Sequence, residues 1–195
     1  MGPEHVMEKV VERLKKIEGI KAIVLGGSRA GGTHTSHSDI DIGIYYDSAS
    51  RLDIAELQKA AAELDDEHRS NLITDIGGWG PWINGGGWLV VEQYPVDILF
   101  RDLTQVSKVI QQCLSGEVTM DYQPGHPHGF VNSIYFSEVA LCKVLWDCSG
   151  ILADLKSRTT PYPAVLKAAY CRMLFSSDCM FKSGFVRSER TLFNE

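Results

Sequence analysis

Apolar residues recur every three or four positions through Val6, Val10, Leu14 and Ile17, with Pro3 ahead of them and Gly19 behind. This spacing predicts an amphipathic helix over 4–18 that Gly19 stops. Lys21–Leu25 (KAIVL) reads as a short buried strand that runs into Gly26 and Gly27. Over 38–46 the pattern alternates strictly, placing Ile40, Ile42 and Ile44 on one face and Asp39, Asp41 and Gly43 on the other, which predicts a second strand. A capping-type start at Ser50, with Asp53 three residues later, leads into Ile54, Leu57, Ala61 and Leu64 as a second helix. Trp88–Val91 and Val96–Phe100 read as strands separated by a turn at 93–95, and Leu103–Leu114 as a helix. Beyond Gly116 the alternation gives way to helical spacing at 131–146, 149–157 and 163–182, and residues 183–195 carry no sustained apolar face. A boundary falls near 116–128, where QPGHPHG supplies two prolines and two glycines.

A length of 195 residues fits one domain with a core and a small appendage. A net charge of −6 gives no positive field to gather phosphates, so nucleic acid is disfavoured as a partner. No apolar run is long enough to span a bilayer, and the charged N-terminus is not signal-like, so a cytoplasmic protein is expected. Cys113, Cys142, Cys148, Cys171 and Cys179 form no Cys-x-x-Cys pair and read as buried free thiols.

Gly26–Thr33 (GGSRAGGT) carries the first chemistry. A P-loop needs a lysine where Gly32 stands, and a dinucleotide fingerprint needs a helix directly after the glycines, where the pattern indicates none before residue 50. A tight turn remains, whose backbone approaches a ligand closely at Gly26 and Gly27 while the Ser28 hydroxyl donates to a phosphate; an ordinary hairpin loop fits the same residues. Asp39 and Asp41 stand about 7 Å apart on one strand face, so their oxygens can converge on a small cation; a solvated polar face is the plainer alternative. Asp97 (YPVDILF) is an acid among apolar neighbours and needs a partner. Three strand-borne carboxylates behind a Gly-Ser turn make a hard oxygen site suited to Mg²⁺.

Gly26-Gly27-Ser28, then Ser38-Asp39-Ile40-Asp41 and the isolated strand acid Asp97, resemble the signature of the DNA polymerase beta-like nucleotidyltransferase superfamily over about residues 20–101. The small bacterial members, antibiotic adenylyltransferases and minimal nucleotidyltransferases of toxin–antitoxin pairs, are the most similar. The resemblance implies an α+β fold: a mixed sheet flanked by helices over 1–116, then a small helical region over 117–195 that is shorter than in those families. It implies two Mg²⁺ ions on Asp39, Asp41 and Asp97, with Asp97 also taking the acceptor proton, and a nucleoside triphosphate, ATP by the same resemblance, held by Gly27, Ser28, Arg29 and Ser38. Arg29 fits a phosphate partner and a solvated loop residue equally well. The implied reaction moves AMP to a hydroxyl of a small molecule such as an antibiotic; a partner protein as acceptor, or a binding module without turnover, are the alternatives.

Three further groups stand out. Trp79, Trp82 and Trp88 within GGWGPWINGGGW could wall a planar base or an acceptor ring, or could simply anchor a glycine-rich loop. His126-Pro-His128 lacks a third ligand at metal spacing and reads as a rigid connection or a cap on the cleft. Arg101 and Asp102 read as a structural ion pair, with a phosphate ligand and a helix N-cap, respectively, as the other reading.

Overall fold

The computed structural model describes residues 2–49 and 51–175. In chain order the elements are α1 (Pro3–Leu14), β1 (Ile20–Leu25), α2 (Gly27–Gly31), β2 (Ile40–Tyr46), α3 (Ile54–Leu64), β3 (Gly86–Val91), β4 (Tyr94–Asp102), α4 (Leu103–Leu114), β5 (Met120–Asp121), β6 (Phe130–Val131), α5 (Ser133–Leu141), β7 (Lys143–Asp147), α6 (Ile151–Arg158) and α7 (Ala164–Phe175). Five strands form one sheet in the order β3-β4-β2-β1-β7, and β5 pairs with β6 apart from it. β2 and β4 run parallel while the other neighbours are antiparallel, so the sheet is mixed.

The alternation along β2 and β4 creates two cores. Ile40, Ile42 and Ile44, with Val96, Ile98 and Phe100, pack against Val6, Val10 and Leu14 of α1 and Leu57 and Ala61 of α3. The opposite face, through Val24 and Tyr45, packs against Val106 and Ile110 of α4, Phe136 and Val139 of α5, Leu152 of α6 and Leu166 of α7. The central strands β1 and β2 thus have helices on both faces, the arrangement expected where a sheet contains a parallel pair.

Several expectations change. Helix α3 is capped by Asp53, whose carboxylate accepts from the Glu56 amide at 2.9 Å, and Ser50 lies outside the described residues. The β3–β4 turn is tighter than the expected 93–95: Glu92 and Gln93 adopt φ of 50° and 69°, and the Asp66 carboxylate accepts both of their amides. The segment 131–146 is not one helix. Helix α5 ends at Leu141, Cys142 turns extended, and β7 pairs with the otherwise open edge of β1, so the strands of the main sheet come from both sides of residue 116. Edge pairing supplies partners to the β1 backbone that helical continuation would leave unsatisfied. The expected 163–182 helix is seen as α7, and its remainder and the 183–195 stretch lie outside the described residues.

The thiols divide: Cys113 and Cys142 are buried, Cys148 and Cys171 are exposed, and Cys179 lies outside the described residues. Among the described residues, no helix is long and apolar enough to cross a membrane.

Candidate active site

The glycine segment is a single helical turn rather than the plain loop expected. Glycine-rich GSRAG has little helix propensity of its own, and α2 is held from outside. The Gly26 amide donates to Asp41 O at 2.8 Å, fastening the turn to β2, and Gly32 closes the helix in the left-handed region at φ 74°. Lys143 of β7 donates to Arg29 O at 3.3 Å. Arg29 is neither a solvated residue nor a free phosphate partner: it is 7% exposed, and its Nε and Nη2 donate to the carbonyls of Ser38 and Asp39. Its charge therefore organises the approach to the acid strand. Ser38 likewise serves its own loop, its Oγ accepting from the Thr35 amide at 3.0 Å. Gly27 sits at φ +56°, and a Cβ there would strike the Asp41 carboxylate. Only glycine lets the turn and the acid lie this close.

Asp41 and Asp97 are partners in the parallel β2–β4 ladder, followed by Gly43 opposite Leu99 and Tyr45 opposite Arg101. All six residues project from the face opposite the isoleucine core. Asp39 precedes β2 and is exposed. Burial, then repulsion by Asp39 and Asp41, raises the Asp97 pKa to about 6. Burial and then Asp39 also raise Asp41, against the pull of Arg29. Among the described residues, no three acidic, histidine or cysteine side chains already converge into a metal-holding cluster. The acids are close enough to repel one another electrostatically and consist only of hard carboxylate oxygens, a donor set that fits Mg²⁺.

From Gly26, Gly27 and Asp41 a cavity of about 520 Å³ extends beneath α5, past Gly43, Tyr45 and Leu99, to Arg101 and Glu138. Its size is in the range of small-ligand pockets. Arg101, 3% exposed, grips Glu138 with Nε–Oε2 at 2.7 Å and Nη2–Oε1 at 2.8 Å, and lies over the Tyr135 ring at 5.3 Å. Burial alone works against the Arg101 charge, and Glu138 more than offsets it, leaving the pKa above its ordinary value. The pair is structural, but its acid is Glu138 and not the adjacent Asp102 expected from the sequence; Asp102 instead caps α4 by accepting from the Thr104 amide at 2.8 Å. Sequence reasoning missed Glu138, although an acid inside the apolar run SIYFSEVAL carried the same signal that singled out Asp97. It also missed Tyr162 and Tyr170, which line the cavity from the segment after α6; nothing in their local pattern marks them.

The tryptophans divide between two roles. Trp82 stacks on Phe130 at 5.1 Å, and its carbonyl accepts from the Tyr135 hydroxyl, so it anchors the loop. Buried Gln123 pins the same loop, accepting from the Trp82 and Ile83 amides and donating to Trp79 O. Trp79 and Trp88 instead stack on each other. His126 packs edge-on against Phe130, while His128 is exposed and away from any cluster that could hold a metal among the described residues.

Residues 7–79 match a family model described as a nucleotidyltransferase domain. The match includes the glycine turn, Asp39 and Asp41, and stops before Asp97. No curated protein matches the chain.

Proposed function

We propose, from the match of residues 7–79 to a nucleotidyltransferase domain, that the chain transfers AMP from ATP to a hydroxyl of a small-molecule acceptor. The observation that carries this reading is the closeness of Gly27, Asp41 and Asp97: Gly27 packs on the Asp41 carboxylate, Asp97 is the ladder partner of Asp41, and Gly27 and Asp41 line the cavity. Asp39, Asp41 and Asp97 would hold two Mg²⁺ ions, which when bound offset the charge of the transferring phosphoryl group and the leaving pyrophosphate. Gly27 N–H and the Ser28 hydroxyl hold the β- and γ-phosphates, and the Lys143 ammonium, beside the turn through its bond to Arg29 O, adds the charge that Arg29 has committed elsewhere. The nucleoside part enters the cavity, where the neutralised Arg101–Glu138 pair and Tyr45 leave no net charge at the floor.

The acceptor oxygen attacks the α-phosphorus, the bond to pyrophosphate breaks, and the hydroxyl proton passes to Asp97. The free thiols among the described residues fit a reducing cytoplasm.

The test is thermal unfolding with ATP, GTP, CTP and UTP, with and without Mg²⁺. A nucleotide at 100 times its Kd adds about 2.7 kcal/mol, a rise of about 5–10 °C for a chain of this size. A rise with ATP that needs Mg²⁺ and disappears in Asp41→Asn is the expected result; no rise with any nucleotide overturns the reading. Labelled ATP then assigns the acceptor, since label on small hydroxyl compounds supports this proposal and label on a host protein transfers the role to a partner protein.

A further inference from the structure

Trp88 stands directly opposite Asp97 in the β3–β4 ladder, and Asp97 stands opposite Asp41 in the β4–β2 ladder. Residues directly opposite one another project from the same sheet face. One row therefore runs from an indole, through the acid assigned to take the proton, to the acid beside the glycine turn.

Trp88 is 59% exposed while its strand neighbours Leu89 and Val91 are buried in the core. An exposed indole of this kind is held firmly. Trp79 stacks on it with ring centroids 4.6 Å apart and planes inclined by 30°. The Trp79 carbonyl accepts from Gln123 Nε2 at 2.9 Å, and a Cβ at Gly86 would stand 2.8 Å from the Trp79 ring, so glycine gives that ring its seat. The third indole of the same loop, Trp82, is spent on packing. A fixed aromatic face is preorganised to receive another ring with little loss of freedom.

We propose that the Trp79–Trp88 stack is the acceptor platform: it takes the face of a ring, saccharide or aromatic, and sets that ring's hydroxyl beside Asp97. The proposal rests on the role of Asp97 given above. A small ring rather than a protein is the occupant because the platform is a single pair of stacked indoles, of which Trp88 lies directly opposite Asp97, and one ring face matches one ring. The nucleoside has its own cavity beneath α5, which leaves the opposite side of Asp97 for the second substrate.

Indole N–H resonances of the ¹⁵N-labelled full chain test this directly, because Trp82 and Trp146 serve as internal controls for Trp79 and Trp88. The probes are methyl β-D-glucopyranoside, benzyl alcohol and the acyclic polyol xylitol. Saturable shifts of Trp79 and Trp88 with a ring probe but not with xylitol, lost from Trp79 in Trp88→Ala, are expected, and whichever ring is effective assigns the acceptor class. No shift with either ring, or equal shifts with xylitol, overturns the platform. Shifts that follow protein concentration alone overturn it in favour of self-association. In the transfer assay, Trp88→Ala raises the acceptor KM about tenfold with the ATP KM unchanged, and Trp88→Phe restores most of the loss. Indoles that respond to a ring in a chain whose melting ignores Mg²⁺ and ATP would overturn the nucleotidyl-transfer reading and leave a ring-binding site.

Discussion

At Gly27 the backbone lies at φ +56° against the Asp41 carboxylate, and both facts forbid a side chain. Gly27→Ala is expected to cost about 1–2 kcal/mol of stability in urea unfolding, while displacement of the acid lowers transfer about 100-fold. Asp97 gives a prediction in pH. Its folded pKa of about 6 lies above the unfolded carboxylate value, so the fold favours the protonated form. Without Mg²⁺, the contribution of Asp97 to stability therefore improves as pH falls from above 6 towards 4; with Mg²⁺ the ionised form is favoured, and the melting rise it produces is larger at pH 8 than at pH 5.5. Melting temperatures over that pH range, with and without Mg²⁺, check this sign. Asp65 works in the opposite direction. Hydrogen bonds from the Arg69 side chain hold its pKa well below the usual range against the effect of burial, with the Val90 amide adding to them, so its stabilisation is present above about pH 4 and is lost as pH falls further. Asp65→Ala leaves the Val90 amide and Arg69 without their acceptor and is expected to cost about 3 kcal/mol in urea unfolding.

Among the elements, β2 was legible because its strict alternation carries both the core isoleucines and the acids, and α4 because its apolar spacing is regular from Leu103 to Leu114. Helix α2 was not legible, since its stability comes from bonds made by distant residues: Asp41 O to Gly26, Ser38 and Asp39 to Arg29, and Lys143 to Arg29 O. The same limit hid β7, whose five residues follow an apolar helix without a break in composition and become a strand because β1 offers an edge. In the candidate site, the acids and the glycines could be read from local pattern, whereas the duty of Arg29 could not, because a buried arginine is identified by what surrounds it. Arg29→Lys keeps the charge but loses the planar fork that reaches two carbonyls. It is expected to lower stability by about 1–2 kcal/mol and to weaken Mg²⁺ binding by displacing Asp39, measured by isothermal titration against the wild type.

Across the whole molecule, the two cores lie on opposite faces of the sheet, and the second of them is assembled from both sides of residue 116. Val24 and Tyr45 of the early strands are covered by Phe136 and Val139 of α5, and β1 is flanked by β7. A chain cut after Gly116 is therefore expected to lack a cooperative melting transition by circular dichroism, although it retains Asp39, Asp41 and Asp97. The placement of β7 also bears on synthesis. As the chain leaves the ribosome, every proposed catalytic acid has emerged long before Asp147 has, and until then β1 presents a bare strand edge able to pair with another nascent chain. Slow translation between 116 and 147 lengthens that exposure, so codon usage in this stretch should govern soluble yield more than it does elsewhere in the gene.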